Sequence, residues 1–300
     1  MQQIFQCVPN FSEGRSVEVV EKIVKAISSS CQVKLIDYSL DNDHNRSVIT
    51  FLGNADDVLC GVLSGVRAAI GLINLNKHVG GHPRIGAVDV IPVVPVQGVS
   101  REEAIELSRK IGQAIGSELD IPVYMYEWSA TRNERINLAA IRKGGFESLR
   151  GIELTGDKKP DYGPNHIHPT AGAVAVGARG PLIAFNVNLN TSDIKAARHI
   201  AAKIRSLRGT PHELIGVKAI GVHLESRGIA QVSTNITQPD KTGLFEVYTF
   251  VQSEAAKMGI EVLESELIGA SRLECLLDPL CRALKLPELS ESRVIDMHID

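Results

Sequence analysis

The 300-residue chain has room for one large domain or two of about 150 residues, and its 44% apolar, 22% charged and 4% aromatic residues are those of an ordinary globular protein. A net charge of -3 supplies no basic field for nucleic acid, and so few aromatics leave no platform on which bases would stack. No segment approaches the roughly 18 uninterrupted apolar residues of a membrane span, and the N-terminus lacks the basic-then-apolar pattern of a secretory leader. A cytoplasmic enzyme or binding protein is expected, with no nucleic-acid or membrane partner.

The five cysteines are odd in number and form no C-x-x-C pair, so a disulfide framework is not expected and most should be buried as small hydrophobes. Cys7 is read as packing at the end of the first strand.

Ile4 to Val8 reads as that strand. A polar turn with Asn10, Ser12 and Glu13 follows, and Val17, Val20, Ile23, Val24 and Ile27 then recur at helical spacing. Val33 to Tyr38 and Ser47 to Leu52 are strands joined by SLDNDHNR, read as a polar hairpin. Ala55 to Leu75 is an amphipathic helix. Next comes NLNKHVGGHPRIGAVDVIPVVPVQGVS, Asn74 to Ser100, on which the chain is centred. His78 and His82 would share one face of a helix, as a zinc site requires, but Gly80, Gly81 and Pro83 oppose a helix. A tight loop is expected instead, with no metal, leading into a β-branched run from Ala87 to Val96 that reads as a strand buried on both faces. A histidine loop anchored to a buried strand is a rigid mount for acid/base work.

The order so far is βαββαβ, the split βαβ unit of ferredoxin-like folds. Ser100 with Glu103 forms a capping box ahead of a helix through Leu107, Ile111 and Ile115. Ile121 to Met125 reads as an added strand and Glu127 to Leu154 as irregular and helical connection. GDKKPDYGPNHIHPTAG, Gly156 to Gly172, holds three prolines and three glycines in seventeen residues. It reads as a linker that folds over as a ligand loop.

The second half repeats the pattern. Pro181 to Leu189 is a strand, and Thr191 or Ser192 caps a helix through Ala197, Ile200 and Ile204. Val217 to Leu224 and Ile229 to Ile236 pair, Gly243 to Met258 is a helix and Ile260 to Leu267 closes the unit. An α+β fold is expected, with two tandem ferredoxin-like subdomains over 1–178 and 179–300 whose sheets face each other across a ligand cleft. Asn10, Glu13, Asp41, Asn45, Arg46, His82, Arg84, His166, Asn186, Asn188, Gln231 and Asn235 supply its polarity.

Five blocks carry a resemblance: CVPNFSEGR from Cys7, HVGGHPRIGAVDVIP from His78, DYGPNHIHPTAG from Asp161, LIAFNVNL from Leu182 and QVSTN from Gln231. In this order they resemble the glutamate formiminotransferase family over nearly the whole chain. The resemblance implies transfer of a formimino group from N-formimino-L-glutamate to N5 of tetrahydrofolate, late in histidine breakdown. It also implies two ferredoxin-like subdomains, a homodimer and a catalytic histidine, which falls on His82. The folate-binding segment falls on Gly163, Pro164, Asn165, His166, Ile167, His168, Pro169, Thr170, Ala171 and Gly172, with tetrahydrofolate as co-substrate. Animal members continue into a cyclodeaminase domain, so a separate cyclodeaminase is the expected partner here.

Chemically, the attacking amine sheds a proton and the departing amine gains one, and one imidazole near neutral pKa serves both. That role is given to His82, with Asp37, Asp41 and Asp43 as candidate acidic neighbours. Arg46 and Arg84 are candidates to hold carboxylates of glutamate or of the folate tail. Asn10, Asn186 and Asn188 offer donor and acceptor to the pterin or glutamyl amide. Formyl transfer from N-formyl-L-glutamate uses the same tetrahedral chemistry, and a folate-binding module without chemistry is the reading from another class.

Overall fold

The computed structural model describes residues 3–81, 83–286 and 289–298. In chain order the elements are β1 (Ile4–Cys7), β2 (Asn10–Phe11), α1 (Val17–Ser30), β3 (Lys34–Asp41), β4 (Arg46–Gly53), α2 (Ala55–Leu72), β5 (Val88–Gln97), α3 (Arg101–Glu118) and β6 (Val123–Met125). They continue with α4 (Leu138–Ile141), β7 (Val174–Ala178), β8 (Ile183–Leu189), α5 (Ile194–Ser206), β9 (Val217–Leu224), β10 (Ile229–Ile236), α6 (Leu244–Ala256), β11 (Val262–Ile268) and α7 (Leu273–Leu284). The chain divides into two units, Met1–Arg179 and Gly180–Asp300, and the fold is mixed α+β.

In the first unit the helices begin where side chains satisfy their orphan amides. Ser16 caps α1, Asn54 caps α2, and Ser100 with Glu103 makes the expected capping box on α3. Among the described residues the unit holds one seven-stranded sheet in the order β1-β4-β2-β5-β7-β6, with β3 on the outer side of β4. The first strand is broken at Val8–Pro9, so β1 and β2 pair in turn, both antiparallel, with β4 and β5. Ile23, Ile27, Phe51, Val62, Val66, Ile91 and Ile111 are buried in one core between sheet and helices.

The stretch after β5 departs from expectation. Val174 to Ala178, a run of small apolar residues, forms β7, a strand that the sequence pattern does not announce. It runs parallel to both β5 and β6. Gly156 to Gly172 is therefore no linker between units: Ile167 and Ala171 are buried in the first unit's core, and the segment delivers the chain to β7. Leu138 and Ile141 of α4 pack against Val90, Tyr126 and Ala175 in a small satellite cluster.

The second unit has a four-stranded sheet in the order β11-β8-β10-β9, all pairs antiparallel. Val187 and Val232 pack against Ala197 and Ile200 of α5 and Val247 and Val251 of α6. Asp193, rather than Thr191 or Ser192, caps α5, accepting from the Lys195 amide. α7 had no counterpart in the sequence reading.

The cysteine expectation is corrected. Cys31, at the C-cap of α1, is bonded to Cys60 of α2 with their Cα atoms 6.1 Å apart. Cys7 is fully buried, and burial pushes its thiol well above the ordinary range, as suits a packing role.

Candidate functional site

α2 stops at Leu72 because the chain turns extended at Ile73, and the histidine loop begins there. His82 lies outside the described residues. Its neighbours on both sides are held from four directions. Ser12, from the CVPNFSEGR block, donates its hydroxyl to the Gly86 carbonyl at 2.7 Å and its amide to the Ala87 carbonyl at 2.9 Å. The hairpin between β3 and β4 touches the loop through Asp43, whose carbonyl accepts from the Gly81 amide at 3.4 Å.

Asn45 is the knot of this region. Only 7% exposed and with φ of +50°, it accepts from the Gly14 amide at 3.0 Å and donates to the Val79 carbonyl at 3.0 Å. Its own carbonyl accepts from Nε2 of His78 at 2.9 Å. One residue thus joins three loops. Gly80 must lack a side chain here, since a Cβ would come within 2.4 Å of the His44 carbonyl oxygen.

Arg84 donates its Nε–H to Nδ1 of His78 at 2.8 Å and Nη2 to the His78 carbonyl at 3.2 Å. Its fork also grips Glu147 at 2.8 and 3.1 Å, and the Arg84 carbonyl accepts from the Phe146 amide. An arginine has no acceptor to offer, so His78 Nδ1 carries no proton and the ring is neutral with Nε2–H. Burial lowers the His78 pKa, and the bond to Asn45 only partly offsets this. Both ring nitrogens are spoken for, which removes His78 as a metal ligand.

The fourth contact comes from the Gly163–Gly172 segment. Leu75 donates to the Thr170 carbonyl, Asn76 to that of Pro169, and Ala87 to that of Ala171, at 2.8–2.9 Å; Ala173 donates to Ile85 at 3.0 Å. Gly86 and Gly172 face each other in an antiparallel bridge. Gly172 has φ of +72°, and a Cβ there would meet the Ile85 oxygen at 2.2 Å. Two blocks some ninety residues apart, both singled out from sequence, are thus laced together on either side of the histidine loop. His168 supports the segment from within, its Nδ1 accepting from the amides of Ala171 and Thr170 at 3.0 and 3.3 Å. A cavity of about 640 Å³ opens beside the segment, lined by Arg150, Ile152, Asn165, His166, Ile167 and Pro169, a volume in the range of small-molecule sites.

The other candidates fall as follows. Asn10 donates to the Val8 carbonyl at 2.9 Å across the strand break. Asp41 accepts from His44 through Nδ1 at 2.6 Å and the backbone amide at 2.8 Å. Burial pushes its carboxyl up, but these bonds outweigh it and hold the pKa below the ordinary value. Arg46 opens β4 opposite Asp41. Its Nε is buried without a hydrogen-bond partner among the described residues. Asn186 and Asn188 belong to the second unit. Asn188 is 0% exposed, donates to Glu264 and Glu266, and accepts from Gln231 at 2.8 Å.

Sequence reasoning gave no role to Glu147, Asp89 or Arg142. Asp89 is 1% exposed, accepts from the Ile85 amide at 2.9 Å and is ion-paired with Arg142, the C-cap of α4. An acidic residue inside the run AVDVIPVV was the available signal, since a carboxylate is not buried in a strand without a partner.

Comparison with known proteins agrees with this arrangement. The family described as "Formiminotransferase domain, N-terminal subdomain" matches residues 4–179, and "Formiminotransferase domain" matches residues 184–297. A protein of Streptococcus pyogenes serotype M1 named glutamate formimidoyltransferase is 44% identical over 278 residues, covering 93% of this chain and 92% of that protein. One of the same name from Thermoplasma acidophilum is 40% identical, over 99% of this chain and 97% of its own length. The formimidoyltransferase-cyclodeaminase of Rattus norvegicus is 40% identical over all of this chain and 56% of its own length. The chain is thus an enzyme of the group-transfer class. It belongs to the formiminotransferase family.

Proposed function

We propose that this protein moves the formimino group of N-formimino-L-glutamate to N5 of tetrahydrofolate, giving 5-formiminotetrahydrofolate and L-glutamate. The observation that carries the reading is the 44% identity to a glutamate formimidoyltransferase over nearly the full length of both chains. In this reading the units, taken as 1–178 and 179–300, are ferredoxin-like subdomains of a cytoplasmic homodimer that hands its product to a separate cyclodeaminase.

His82 acts as general acid/base, taking the proton shed by the attacking amine and returning it to the departing one. General acid–base catalysis of this kind contributes on the order of 10²–10⁴-fold. The Gly163–Gly172 segment, laced to the histidine loop and bordering the 640 Å³ cavity, supplies the folate site, with Asn10 as a further polar contact. In this reading Arg84, bound to His78 and Glu147, positions the loop and is not assigned a substrate carboxylate.

The test is steady-state turnover with tetrahydrofolate, offering N-formiminoglutamate and N-formylglutamate separately. Turnover of the formimino donor that falls by about 10²-fold or more in His82→Ala, with folate affinity retained, is the expected result. Turnover of the formyl donor alone would replace this reading with formyl transfer, and folate binding without turnover of either would reduce the protein to a binding module.

A further inference from the structure

Asp161 stands two residues ahead of the Gly163–Gly172 segment, and its carboxylate ties separate stretches of chain together. It accepts from the Met125 amide of β6 at 2.7 Å, from the Thr131 hydroxyl and from the Arg135 guanidinium. Arg135 turns its other arm to the carbonyls of Asp157, at 3.1 Å, and Lys159, and it lies 5.0 Å over the Tyr124 ring. Tyr124 in turn donates its hydroxyl to the Lys158 carbonyl at 2.7 Å. Backbone bonds run alongside: the Asp161 amide donates to Val123 at 2.8 Å and the Val123 amide to Tyr162 at 2.9 Å. Both charged side chains are nearly out of water, Arg135 4% exposed and Asp161 9%. Desolvating two charges is costly, so such a pair is a weak source of net stability, and here its bonds serve to fix residues 157 to 161. Gly163, with φ of +83°, is pressed against the same framework, since a Cβ there would meet the Ile121 oxygen at 2.5 Å. At the far end of the segment Thr170, Ala171 and Gly172 are laced to the histidine loop. Between the two fixed ends Asn165, His166, Ile167 and Pro169 form one wall of the cavity.

We propose that Arg135 is a positioning residue for the folate site: through Asp161 it fixes the N-terminal end of the Gly163–Gly172 segment, and with it the cavity wall against which tetrahydrofolate binds. The histidine loop is held from the opposite end of the segment, so releasing Arg135 loosens the folate wall and leaves the loop's own supports in place. A wall that adopts its binding geometry only part of the time lowers affinity by that fraction. The ligand in this assignment rests on the formimino-transfer reading above.

The experiment compares Arg135→Gln, Arg135→Lys and Thr131→Val in the full chain with Ile23→Val, which trims a core position on α1 and controls for lost stability alone. Tetrahydrofolate affinity is read by calorimetry, and KM and kcat by turnover of N-formiminoglutamate. Arg135→Gln should weaken tetrahydrofolate binding and raise its KM by on the order of 10-fold, with kcat at saturation changed by less than about twofold. Arg135→Lys keeps a charge opposite Asp161 and Thr131→Val removes one donor, so both should fall between Arg135→Gln and the unaltered protein. Amide exchange should quicken at Asp161 and Leu154, which donate to Val123 and Asn165, while Ala87 and Ala173 beside the histidine loop keep their protection. An unchanged KM in folded Arg135→Gln overturns the proposal, as does a rise that Ile23→Val shares or a fall in kcat as large as the rise in KM. If Arg135→Gln does not fold, the same outcomes in Arg135→Lys and Thr131→Val decide. Absence of tetrahydrofolate binding by the unaltered protein overturns the folate reading, whereas binding that all three variants leave unaltered overturns the role of Arg135 alone.

Discussion

Arg84 reaches back six residues to donate its Nε–H to Nδ1 of His78 at 2.8 Å, and this one bond sets the charge state of the imidazole as well as the path of the loop between them. The same guanidinium holds Glu147. The two arms are not equal, because Arg84 is 11% exposed at its side chain and Glu147 60%. A carboxylate so open to water contributes little to stability even though its bond to Arg84 lowers its pKa. Arg84→Ala is expected to destabilise the first unit by about 1–3 kcal/mol, since it orphans the His78 nitrogen, and Glu147→Ala by less than about 1 kcal/mol. Urea unfolding midpoints of the two variants, compared at one pH, check the order.

A pH signature follows from the same imidazole. His78 is held neutral, with its pKa below the ordinary 6.5, so the unfolded chain binds the proton more readily than the folded one. Stability from this group is therefore full above about pH 6.5 and lost as pH falls through the lower folded value. Unfolding free energies at pH 7.5, 6 and 5 should decline for the unaltered protein and decline less steeply for His78→Gln. Parallel slopes would show that His78 is not the group responsible.

Asn45 carries three side-chain or backbone bonds, one to the loop at Gly14 and two to the histidine loop at His78 and Val79, at a positive φ. Asn45→Asp keeps the acceptor for Gly14 but sets an anionic oxygen against the Val79 carbonyl. A loss of about 2–3 kcal/mol is expected, as for burying an unpaired charge. Asn45→Gly, which suits the backbone but forfeits both side-chain bonds, should cost about 1–2 kcal/mol. Chemical denaturation of both variants, with amide exchange at Gly14, whose N–H donates to Asn45, distinguishes local loosening from global loss.

The Cys31–Cys60 bond spans 29 residues of sequence, and closing a loop of that size restricts the unfolded chain by about 3.6 kcal/mol. Thiol titration of the denatured, unreduced protein should find the three free cysteines Cys7, Cys275 and Cys281. Addition of reductant, or Cys31→Ser, should lower the unfolding midpoint. Five titratable thiols would show that the bond does not form in solution.

The legible parts of the chain were those whose signal is local. The Ser100–Glu103 box, the β-branched run of β5 and the 3.6-residue periods of α1, α2 and α5 are written within one or two turns of sequence, and each formed. What escaped was non-local or low in contrast. β7 is built from alanine, valine and glycine, residues too small to register as a strand, and gains its place only through parallel neighbours far along the chain. A proline- and glycine-rich segment reads as a linker until Thr170 and Ala171 are seen accepting from Leu75 and Ala87. Cys31 and Cys60 gave no spacing motif, because only the packing of α1 on α2 brings them together. At the site, the arginines were visible as residue types, but which was engaged and which was left with an unsatisfied nitrogen depended on Glu147, Asp89 and Arg142, none of which announces its partner.

The bridge between Gly86 and Gly172 bears on when the histidine loop can be completed during synthesis. The histidine loop is supported on one flank by residues 168 to 173, and these are fixed in turn by a parallel strand ending at Ala178. Non-local pairing of that kind comes late, after loop-closure entropy has been overcome. A chain emerging from the ribosome will already have made α1, α2 and the first hairpin while the loop still lacks half its supports, and the loop is complete only once about residue 178 has been synthesised and docked.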